Sequence, residues 1–234
     1  MRILVLGNGK MGREIASLAA ARGHEVVAML GASENPNGEG ITPHSVAGVD
    51  MVIEFTVPSA ARSNVAACLA HGVPVVTGTT GWYEALPVME ALARERGGSL
   101  FWAPNFSLGV ALVVETARRM GALFARQPQF DAHVVETHHA AKKDAPSGTA
   151  SAIARAASTA LGRPIPITSV RVGHVPGTHT LTFDGAFEQV TLTHLARDRR
   201  VFAEGALVAA EWLVGRRGVF TMKDLLALEA PEAR

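Results

Sequence analysis

Short apolar runs alternate with stretches of helical periodicity along the first hundred residues. Runs such as RILVLG, bounded by turn-forming residues, are typical of buried strands, whereas MGREIASLAAAR carries apolar residues at helical spacing and stops at a glycine. The predicted strands are 2–7, 25–30, 50–55, 73–78 and 99–104, and the predicted helices are 11–22, 60–71 and 84–96. Because parallel neighbours need a long connection, this alternation predicts a Rossmann-type doubly wound parallel sheet.

The pattern changes near residue 107. A long amphipathic helix, an alternating strand and a further helix are followed by three strand-like segments with no helix between them. These elements are predicted at 108–125, 130–139, a helix ending near Leu161, and then 167–173, 178–183 and 189–196; helices return at 203–214 and 222–228. The fold class is therefore α/β, with a C-terminal α+β domain built on a mixed open sheet. Two domains are expected, one over 1–107 completed by 202–234 and one over 108–201.

Composition and charge exclude several classes of protein. The 234 residues are 48% hydrophobic and carry a net charge of +1, which suits one or two compact domains and gives no basic footprint for nucleic acid. The single cysteine, Cys68, lies in an apolar run and is expected to be a buried thiol. The N-terminal apolar run is too short for a signal peptide, and no run approaches the ~18 residues of a membrane span. We expect a cytoplasmic protein without a membrane or nucleic-acid partner.

The glycine turn after the first strand has the spacing of a dinucleotide site. Gly7, Gly9 and Gly12 form G-x-G-x-x-G where a strand ends and a helix begins, so that phosphates can lie on exposed helix N–H groups. A plain glycine turn is the alternative. Two further loops follow the fourth and fifth strands, where such sheets bind ligands. The predicted cofactor contacts are Gly7, Asn8, Gly9, Lys10, Met11, Gly12, Gly78, Thr79, Thr80, Ala103, Pro104, Asn105 and Phe106.

The choice between NADH and NADPH depends on the end of the second strand. NAD sites place an acid there to hold the ribose hydroxyls, but here the strand runs into Gly31 and Glu34 comes late. Lys10 favours a 2′-phosphate, with a solvated cation at the helix start as the alternative. The prediction leans towards NADPH and leaves NADH open.

The stretch ETHHAAKKDAPSGTA at 136–150 concentrates acid–base groups. Strand alternation places Glu136 and His138 on one face and His139 on the other, so the two histidines are expected to differ in role. Imidazole is the natural acid–base group near neutral pH. A metal site from the two histidines lacks H-E-x-x-H spacing and a cysteine partner, so no metal is predicted.

The end of the same stretch is predicted to start a helix. Ser147 is a good N-cap, and Gly148 after it exposes N–H groups that can hold a carboxylate beside the positive charge of Lys142 and Lys143. The alternative is a solvated charged turn that leads into an ordinary capped helix.

The motif E-x-H-H-x-x-K-x-D-A-P-S-G-T resembles the signature of the dihydrodipicolinate reductase family. Further matches occur in order along almost the whole chain, namely the glycine turn, G-T-T at 78–80, A-P-N-F at 103–106, R-V-G at 171–173, T-H-x-A at 193–196 and F-A-x-G-A-L at 202–207. The resemblance implies NAD(P)H-dependent reduction of 4-hydroxy-tetrahydrodipicolinate, a small dicarboxylate, in lysine and diaminopimelate biosynthesis. It also implies a homotetramer, with residues 1–107 binding NADPH or NADH and 108–201 binding substrate and mediating oligomerisation.

The resemblance assigns roles to individual residues. It makes His138 the acid–base group and Lys142 the proton donor, although the residues alone leave open which of the two delivers the proton. The substrate-binding residues implied are His139, Ser147, Gly148 and Thr149. Arg199 is a further candidate for a carboxylate or hinge contact, with a surface arginine as the alternative.

Two positions depart from relatives in this family. Gly31 stands where they carry an acid, and Thr178-His179 replaces the more usual Glu-His. The remaining strand and turn histidines, His133, His174 and His194, are predicted to be structural. Two rival functions share the glycine turn, a two-domain dehydrogenase acting on aspartate or homoserine and a non-catalytic NAD(P)-sensing protein. Neither needs the His-His-x-x-Lys and Ser-Gly-Thr arrangement.

Overall fold

The computed structural model describes residues 1–228, which form two compact units. One unit comprises Met1–Ser107 and the chain from Arg200 onwards, and the other is Leu108–Arg199. The predicted completion of the first domain by 202–234 extends into residues 229–234, which lie outside the described part of the chain. No helix within the described residues is both long enough and apolar enough to span a membrane.

The first unit contains a six-stranded parallel sheet with the order β10-β5-β4-β3-β1-β2. Its elements are β1 (Arg2–Leu6), α1 (Lys10–Ala21), β2 (Glu25–Leu30), β3 (Met51–Glu54), α2 (Pro58–Ala70), β4 (Val75–Thr77), α3 (Leu86–Glu95), β5 (Ser99–Trp102), α6 (Arg200–Leu213), β10 (Gly218–Phe220) and α7 (Met222–Leu225). The chain leaves β1 for β2 on one side and returns to β3 on the other. The crevice at the carboxyl ends of β1 and β3 is therefore the switch point of the sheet, where such folds bind ligands.

Burial on both faces explains the apolar strands of this sheet. Residues 3–6 of β1 and 51–54 of β3 are all fully buried, as central parallel strands require. Glu54, the last residue of β3, is the one ionisable side chain in these two stretches. The predicted doubly wound sheet is confirmed, whereas the short strand β10 was not predicted.

The second unit contains a four-stranded mixed sheet with the order β7-β6-β8-β9. Its elements are α4 (Leu108–Phe124), β6 (Asp131–His138), α5 (Gly148–Leu161), β7 (Ile167–Arg171), β8 (Thr178–Asp184) and β9 (Gln189–Leu195). β6 pairs with β7 in parallel and with β8 antiparallel, so the predicted mixed sheet is confirmed.

One face of this sheet changes character along its strands. Val134, Leu181 and Phe183 are fully buried and pack with residues of α4 and α5, such as Ala117 and Ile153. Further along the same face, polar residues replace the apolar ones, beginning with the cross-strand row Glu136–His179–His194. This end of the face therefore brings ionisable side chains together.

Helix α5 begins and ends as the sequence predicts. Ser147 is its N-cap, and the Ser147 hydroxyl oxygen accepts from the backbone N–H of Ala150. Gly162 ends the helix in the left-handed region with φ 79°, which favours glycine.

Candidate active site

The glycine turn brings the ends of β1 and β3 into close contact. Gly7 has φ 105°, and a Cβ atom there would lie 2.1 Å from the carbonyl oxygen of Phe55. A Cβ atom on Gly12 would lie 1.8 Å from the carbonyl oxygen of Gly7. Gly9 is the N-cap of α1 and offers no side chain to its first N–H groups. The turn therefore has the tight backbone and open helix start that a pyrophosphate needs.

The other two predicted cofactor loops follow β4 and β5. Because all these strands are parallel, the loops lie at the same edge of the sheet as the glycine turn. A Cβ atom on Gly78 would lie 2.1 Å from the Phe55 ring, and the Phe106 ring lies 5.6 Å from that ring, centroid to centroid. Phe106 is buried, and its carbonyl leaves no room for a side chain on Gly205 of α6. Phe55 is thus the shared packing partner of both loops.

The end of β2 carries an acid despite Gly31. The Oε2 atom of Glu34 accepts from the backbone N–H of Gly31 at 2.9 Å, and its Oε1 atom accepts from the Ser33 hydroxyl at 2.7 Å. The Ser33 hydroxyl, followed by the backbone N–H groups of Glu34 and Gly31, lowers the pKa of Glu34 below its usual value. A Cβ atom on Gly31 would lie 2.2 Å from Nδ2 of Asn8, so the absence of a side chain makes room for both neighbours.

Glu136 lies at the centre of a cluster of polar residues in the second unit. It is fully buried, and its carboxylate accepts from His138 Nδ1, from Arg171 Nη2 at 2.7 Å and from the backbone N–H of Ser147 at 3.3 Å. Burial alone would raise the pKa of Glu136, but hydrogen bonds from Arg171, Ser169 and His138 outweigh it and lower that pKa to about 2. Glu136 is therefore an ionised acceptor at neutral pH.

The bond to Glu136 sets the tautomer of His138. An ionised carboxylate can only accept, so Nδ1 of His138 carries a hydrogen and, in the neutral ring, Nε2 carries the lone pair. Burial lowers the pKa of His138 by more than the neighbouring Glu136 raises it, so the pKa lies below its usual value. Lys142 and Arg171 add to the lowering. The ring is therefore predominantly neutral at pH 7.

Arg171 connects this pair to the loop that carries Lys142. The same Nη2 atom that donates to Glu136 also donates to the backbone carbonyl of Asp144 at 2.7 Å. The Asp144 carboxylate in turn accepts from Lys142 Nζ at 2.8 and 2.9 Å. Asp144 and Arg171 thus connect the side chain of Lys142 to Glu136.

His179 joins the cluster from the neighbouring strand. Its ring lies 5.0 Å from that of His138, edge to face, and its Nε2 atom lies 3.2 Å from Oγ of Ser147. Burial, followed by the nearby His138 and His194, lowers the pKa of His179 to about 4. His179 is therefore a neutral hydrogen-bonding ring at physiological pH.

The structure groups some of the predicted substrate residues and separates others. His138 and Ser147 share Glu136 as a hydrogen-bond acceptor, and Gly148 and Thr149 follow in the first turn of α5, at its positive end. His139 lies just beyond β6, half-buried, and Lys143 is exposed. Arg199 is the last residue of the second unit.

Sequence reasoning missed Arg171 and His179 as members of the site. Arg171 lies in the R-V-G motif, to which the resemblance assigns no role. His179 lies in the Thr178-His179 departure from relatives. Glu136, His138 and His179 bring one ligand atom each within 4.8 Å of the others, which is also a spacing compatible with a metal. Both oxygens of Glu136 are engaged by Arg171 and His138, so the arrangement suits acid–base chemistry better.

Comparisons with known proteins give matches over almost the whole chain. The family model "Dihydrodipicolinate reductase, N-terminus" matches residues 1–106, and "Dihydrodipicolinate reductase, C-terminus" matches residues 109–226. The chain is 34% identical to a 4-hydroxy-tetrahydrodipicolinate reductase of Christiangramia forsetii, over 97% of this chain and 98% of the relative. It is 36% identical to the enzyme of the same name from Thiobacillus denitrificans, over 98% and 99%.

A solved structure extends the similarity to the fold. Dipicolinate-bound dihydrodipicolinate reductase from Paenisporosarcina sp. TG-14 matches with a TM-score of 0.80 and 26% identity, covering 96% of this chain and 99% of that one. The resemblance predicted from the central motif is confirmed by these matches.

Proposed function

The chain belongs to the dihydrodipicolinate reductase family and catalyses the NAD(P)H-dependent reduction of 4-hydroxy-tetrahydrodipicolinate, and we propose that His138 and Lys142 are the acid–base residues of this reaction. The observation that carries the proposal is the buried Glu136–His138 pair, which lies beside the start of α5 and is tied by Arg171 to the loop of Lys142. An acid–base group, a cation and a helix N-terminus are what a dicarboxylate undergoing reduction requires.

The first unit supplies the cofactor site in this proposal. The bound nicotinamide nucleotide supplies the hydride, and the protein binds and orients it. The proposed contacts are the glycine turn Gly7–Gly12, the loop Gly78–Thr80 and the loop Ala103–Phe106. These contacts are supported by the position of the three loops, which all follow the carboxyl ends of parallel strands. The loops after β1 and β4 lie beside the switch point.

We assign delivery of the proton to Lys142. The ring of His138 is neutral near pH 7 because its pKa is lowered, and its one ring hydrogen is held by Glu136. Lys142 is paired with Asp144 through its side-chain nitrogen, and in this proposal that group donates the proton to the substrate. His138 then has its Nε2 lone pair available to accept a hydrogen bond from substrate or from Lys142.

The start of α5 is proposed to hold a substrate carboxylate. Backbone N–H groups of Gly148 and Thr149 lie at the positive end of the helix dipole, and Gly148 has open space where a Cβ atom would be. Ser147 fixes this turn as the N-cap, and His139 is the remaining proposed contact. The relative from Paenisporosarcina was solved with the dicarboxylate dipicolinate bound, which supports a site of this charge.

We propose that NADH is the preferred cofactor. The carboxylate of Glu34, anchored to the backbone of Gly31, lies at the end of β2, where an acid can accept from the ribose hydroxyls and would repel a 2′-phosphate. This proposal reverses the inclination towards NADPH, which rested on the apparent absence of such an acid and on Lys10.

A homotetramer is proposed from the outer face of the second sheet. The face opposite α4 and α5 carries threonine and aliphatic side chains, including the cross-strand pair Thr180–Thr193 and the exposed Val170 and Leu195. An exposed sheet face of this kind is a suitable surface for self-association. Light scattering on the native protein and on Val170→Lys/Leu195→Lys tests it, since a tetramer built on this face dissociates in the double variant.

The activity is tested by following NADH and NADPH oxidation with substrate generated from aspartate semialdehyde and pyruvate. The native protein is expected to turn over, whereas His138→Gln and Lys142→Ala lose about 10²–10⁴ in kcat while they still bind cofactor. Cofactor binding without turnover in the native protein would instead support an NAD(P)-sensing protein. A dehydrogenase acting on aspartate or homoserine is not favoured, because both family models cover this chain.

A further inference from the structure

Glu54 is a fully buried acid that has no role in the function proposed above. It is the last residue of β3, and its carboxyl group accepts from four donors. The hydroxyls of Thr77 and Thr79 donate at 2.5 and 2.8 Å, the backbone N–H of Thr56 donates at 3.1 Å, and the Thr56 hydroxyl donates as well. None of these four donors belongs to a basic side chain.

Burial of such a group is costly, so its bonds must offset a large desolvation penalty. Apolar residues fill the neighbouring positions of β3, and a valine or isoleucine at position 54 would avoid the penalty altogether. The sheet therefore gains little stability from an acid here. A buried polar network of this kind is instead suited to fixing one arrangement of the segments that it joins.

Glu54 joins two loops, one at the switch point and one beside it. Thr56 lies in the loop after β3, and Thr79 lies in the loop after β4. The Thr79 hydroxyl also accepts from the backbone N–H of Thr56 at 2.8 Å, so the two loops are bonded directly as well as through the carboxyl group. Asn64 of α2 extends the network by donating to the Thr56 hydroxyl at 3.3 Å.

Phe55 lies between these bonds and the cofactor loops. Its carbonyl oxygen packs against Gly7 and its ring against Gly78, and in each case the approach leaves no room for a Cβ atom. Any rotation of the Phe55–Thr56 corner would therefore displace the glycine turn and the Gly78–Thr80 loop together. The bonds of Glu54 to Thr56 and Thr79 prevent that rotation.

We propose that Glu54 is a positioning residue for the nicotinamide nucleotide, holding the Phe55–Thr56 corner and the Gly78–Thr80 loop in the geometry that binds it. This inference rests on the proposed cofactor role of Gly78–Thr80. It assigns Glu54 no contact with the cofactor itself.

The test compares variants that differ in hydrogen bonding but not in volume. Glu54→Met fills the site and removes all acceptors, whereas Glu54→Gln keeps one acceptor oxygen. Dissociation constants for NADH and NADPH are measured by nucleotide fluorescence, alongside KM for both substrates. We expect Glu54→Met to weaken cofactor binding about tenfold or more and Glu54→Gln to fall between it and the native protein. At saturating cofactor, KM for the dicarboxylate is expected to stay within about twofold.

A matched control separates positioning from general stability. Ser99 is also buried, but it lies at the amino end of β5, and its hydroxyl donates to the backbone carbonyl of Arg216 at 2.5 Å. Ser99→Ala is expected to lower the melting temperature and leave cofactor affinity unchanged. If Glu54→Met does not fold, Thr77→Val is used instead, because it removes one hydrogen-bond donor to Glu54. Thr77→Ser is its control, because serine restores that donor.

The outcomes distinguish this inference from the proposed function. Native cofactor affinity in a folded Glu54→Met or Thr77→Val overturns the positioning role and leaves the reductase assignment untouched. Equal loss of affinity in Ser99→Ala also overturns it, since the effect would then follow stability alone. A native protein that binds neither NADH nor NADPH refutes the proposed cofactor site, and the inference with it.

Discussion

The Nε2 atom of His179 lies 3.2 Å from the hydroxyl oxygen of Ser147, so a histidine of β8 is bonded to the N-cap of α5. The same histidine lies edge to face with His138, at 5.0 Å between ring centroids. The start of the helix that is proposed to hold a carboxylate and the proposed acid–base residue therefore share one neighbour. That neighbour stays neutral at physiological pH because burial, first of all, lowers its pKa to about 4.

Removal of this bond is expected to weaken dicarboxylate binding. His179→Phe keeps an aromatic ring but removes the bond to Ser147, so KM for the dicarboxylate rises while the affinity for NADH is unchanged. Ser147→Ala is expected to act in the same direction and to cost about 1 kcal/mol of stability as a lost N-cap. A double-mutant cycle on KM measures the coupling; strictly additive effects would show that the bond has no influence on the substrate site.

Glu136→Gln is expected to reduce turnover without affecting cofactor binding. The amide cannot hold both Arg171 and the Nδ1 hydrogen of His138 as the carboxylate does, so we expect kcat to fall by about 10² or more. Loss of one charge from a buried pair costs about 3–5 kcal/mol, so denaturant unfolding should show a clear loss of stability. Stopped-flow turnover at saturating substrate and fluorescence titration with NADH check the two parts, and unchanged kcat would contradict the orienting role.

The low pKa of Glu136 predicts how the protein unfolds in acid. Since the folded-state pKa is about 2 and the usual value is 4.5, the carboxylate stabilises the fold above pH 4.5, and this contribution disappears as the pH falls towards 2. Glu136→Gln should therefore flatten the dependence of unfolding free energy on pH in that window. Glu115→Gln is the control: the pKa of Glu115 is also about 2, but its arginine partners are on an exposed helix face, where solvent screens the effect.

The charges around His138 predict opposite shifts of its pKa in two variants. Lys142 lowers the pKa of His138 and Glu136 raises it, after the larger lowering by burial. Lys142→Met should therefore raise that pKa and Glu136→Gln should lower it further. Histidine ring resonances followed by NMR over pH 4–9 measure both shifts. A shift in the same direction for both variants would contradict these opposite effects of Lys142 and Glu136 on His138.

The first sheet was predictable because each of its longer strands gives a clear pattern in its own short stretch of sequence. Apolar runs such as Ile3–Leu6 and helical spacing in α1 depend on nearby residues alone, and they were found within a few positions of the observed bounds. β10 was missed because Gly218–Phe220 is too short to give a periodic signal and becomes a strand only by pairing with β5.

The site was predictable only where it is contiguous in sequence. Glu136, His138 and Ser147 lie in one motif, and alternation along β6 placed the first two on the same face. Arg171 and His179 reach them through strand pairing, since Glu136 lies opposite His179 and His138 opposite Arg171 in the register of the sheet. Such registers arise from long-range packing that no single stretch of sequence encodes.

Glu34→Gln is expected to shift cofactor preference towards NADPH. The carboxylate at the end of β2 is held by the N–H of Gly31 and the hydroxyl of Ser33. In the proposed cofactor site this fixed negative charge would repel a 2′-phosphate. The amide keeps the hydrogen-bonding oxygen and removes the charge, and it should raise kcat/KM for NADPH about tenfold relative to NADH. Lys10→Gln is the matched control, since loss of a positive charge at the glycine turn should disfavour NADPH instead. Unchanged preference in Glu34→Gln would mean that the acid does not face the ribose and does not set the selectivity.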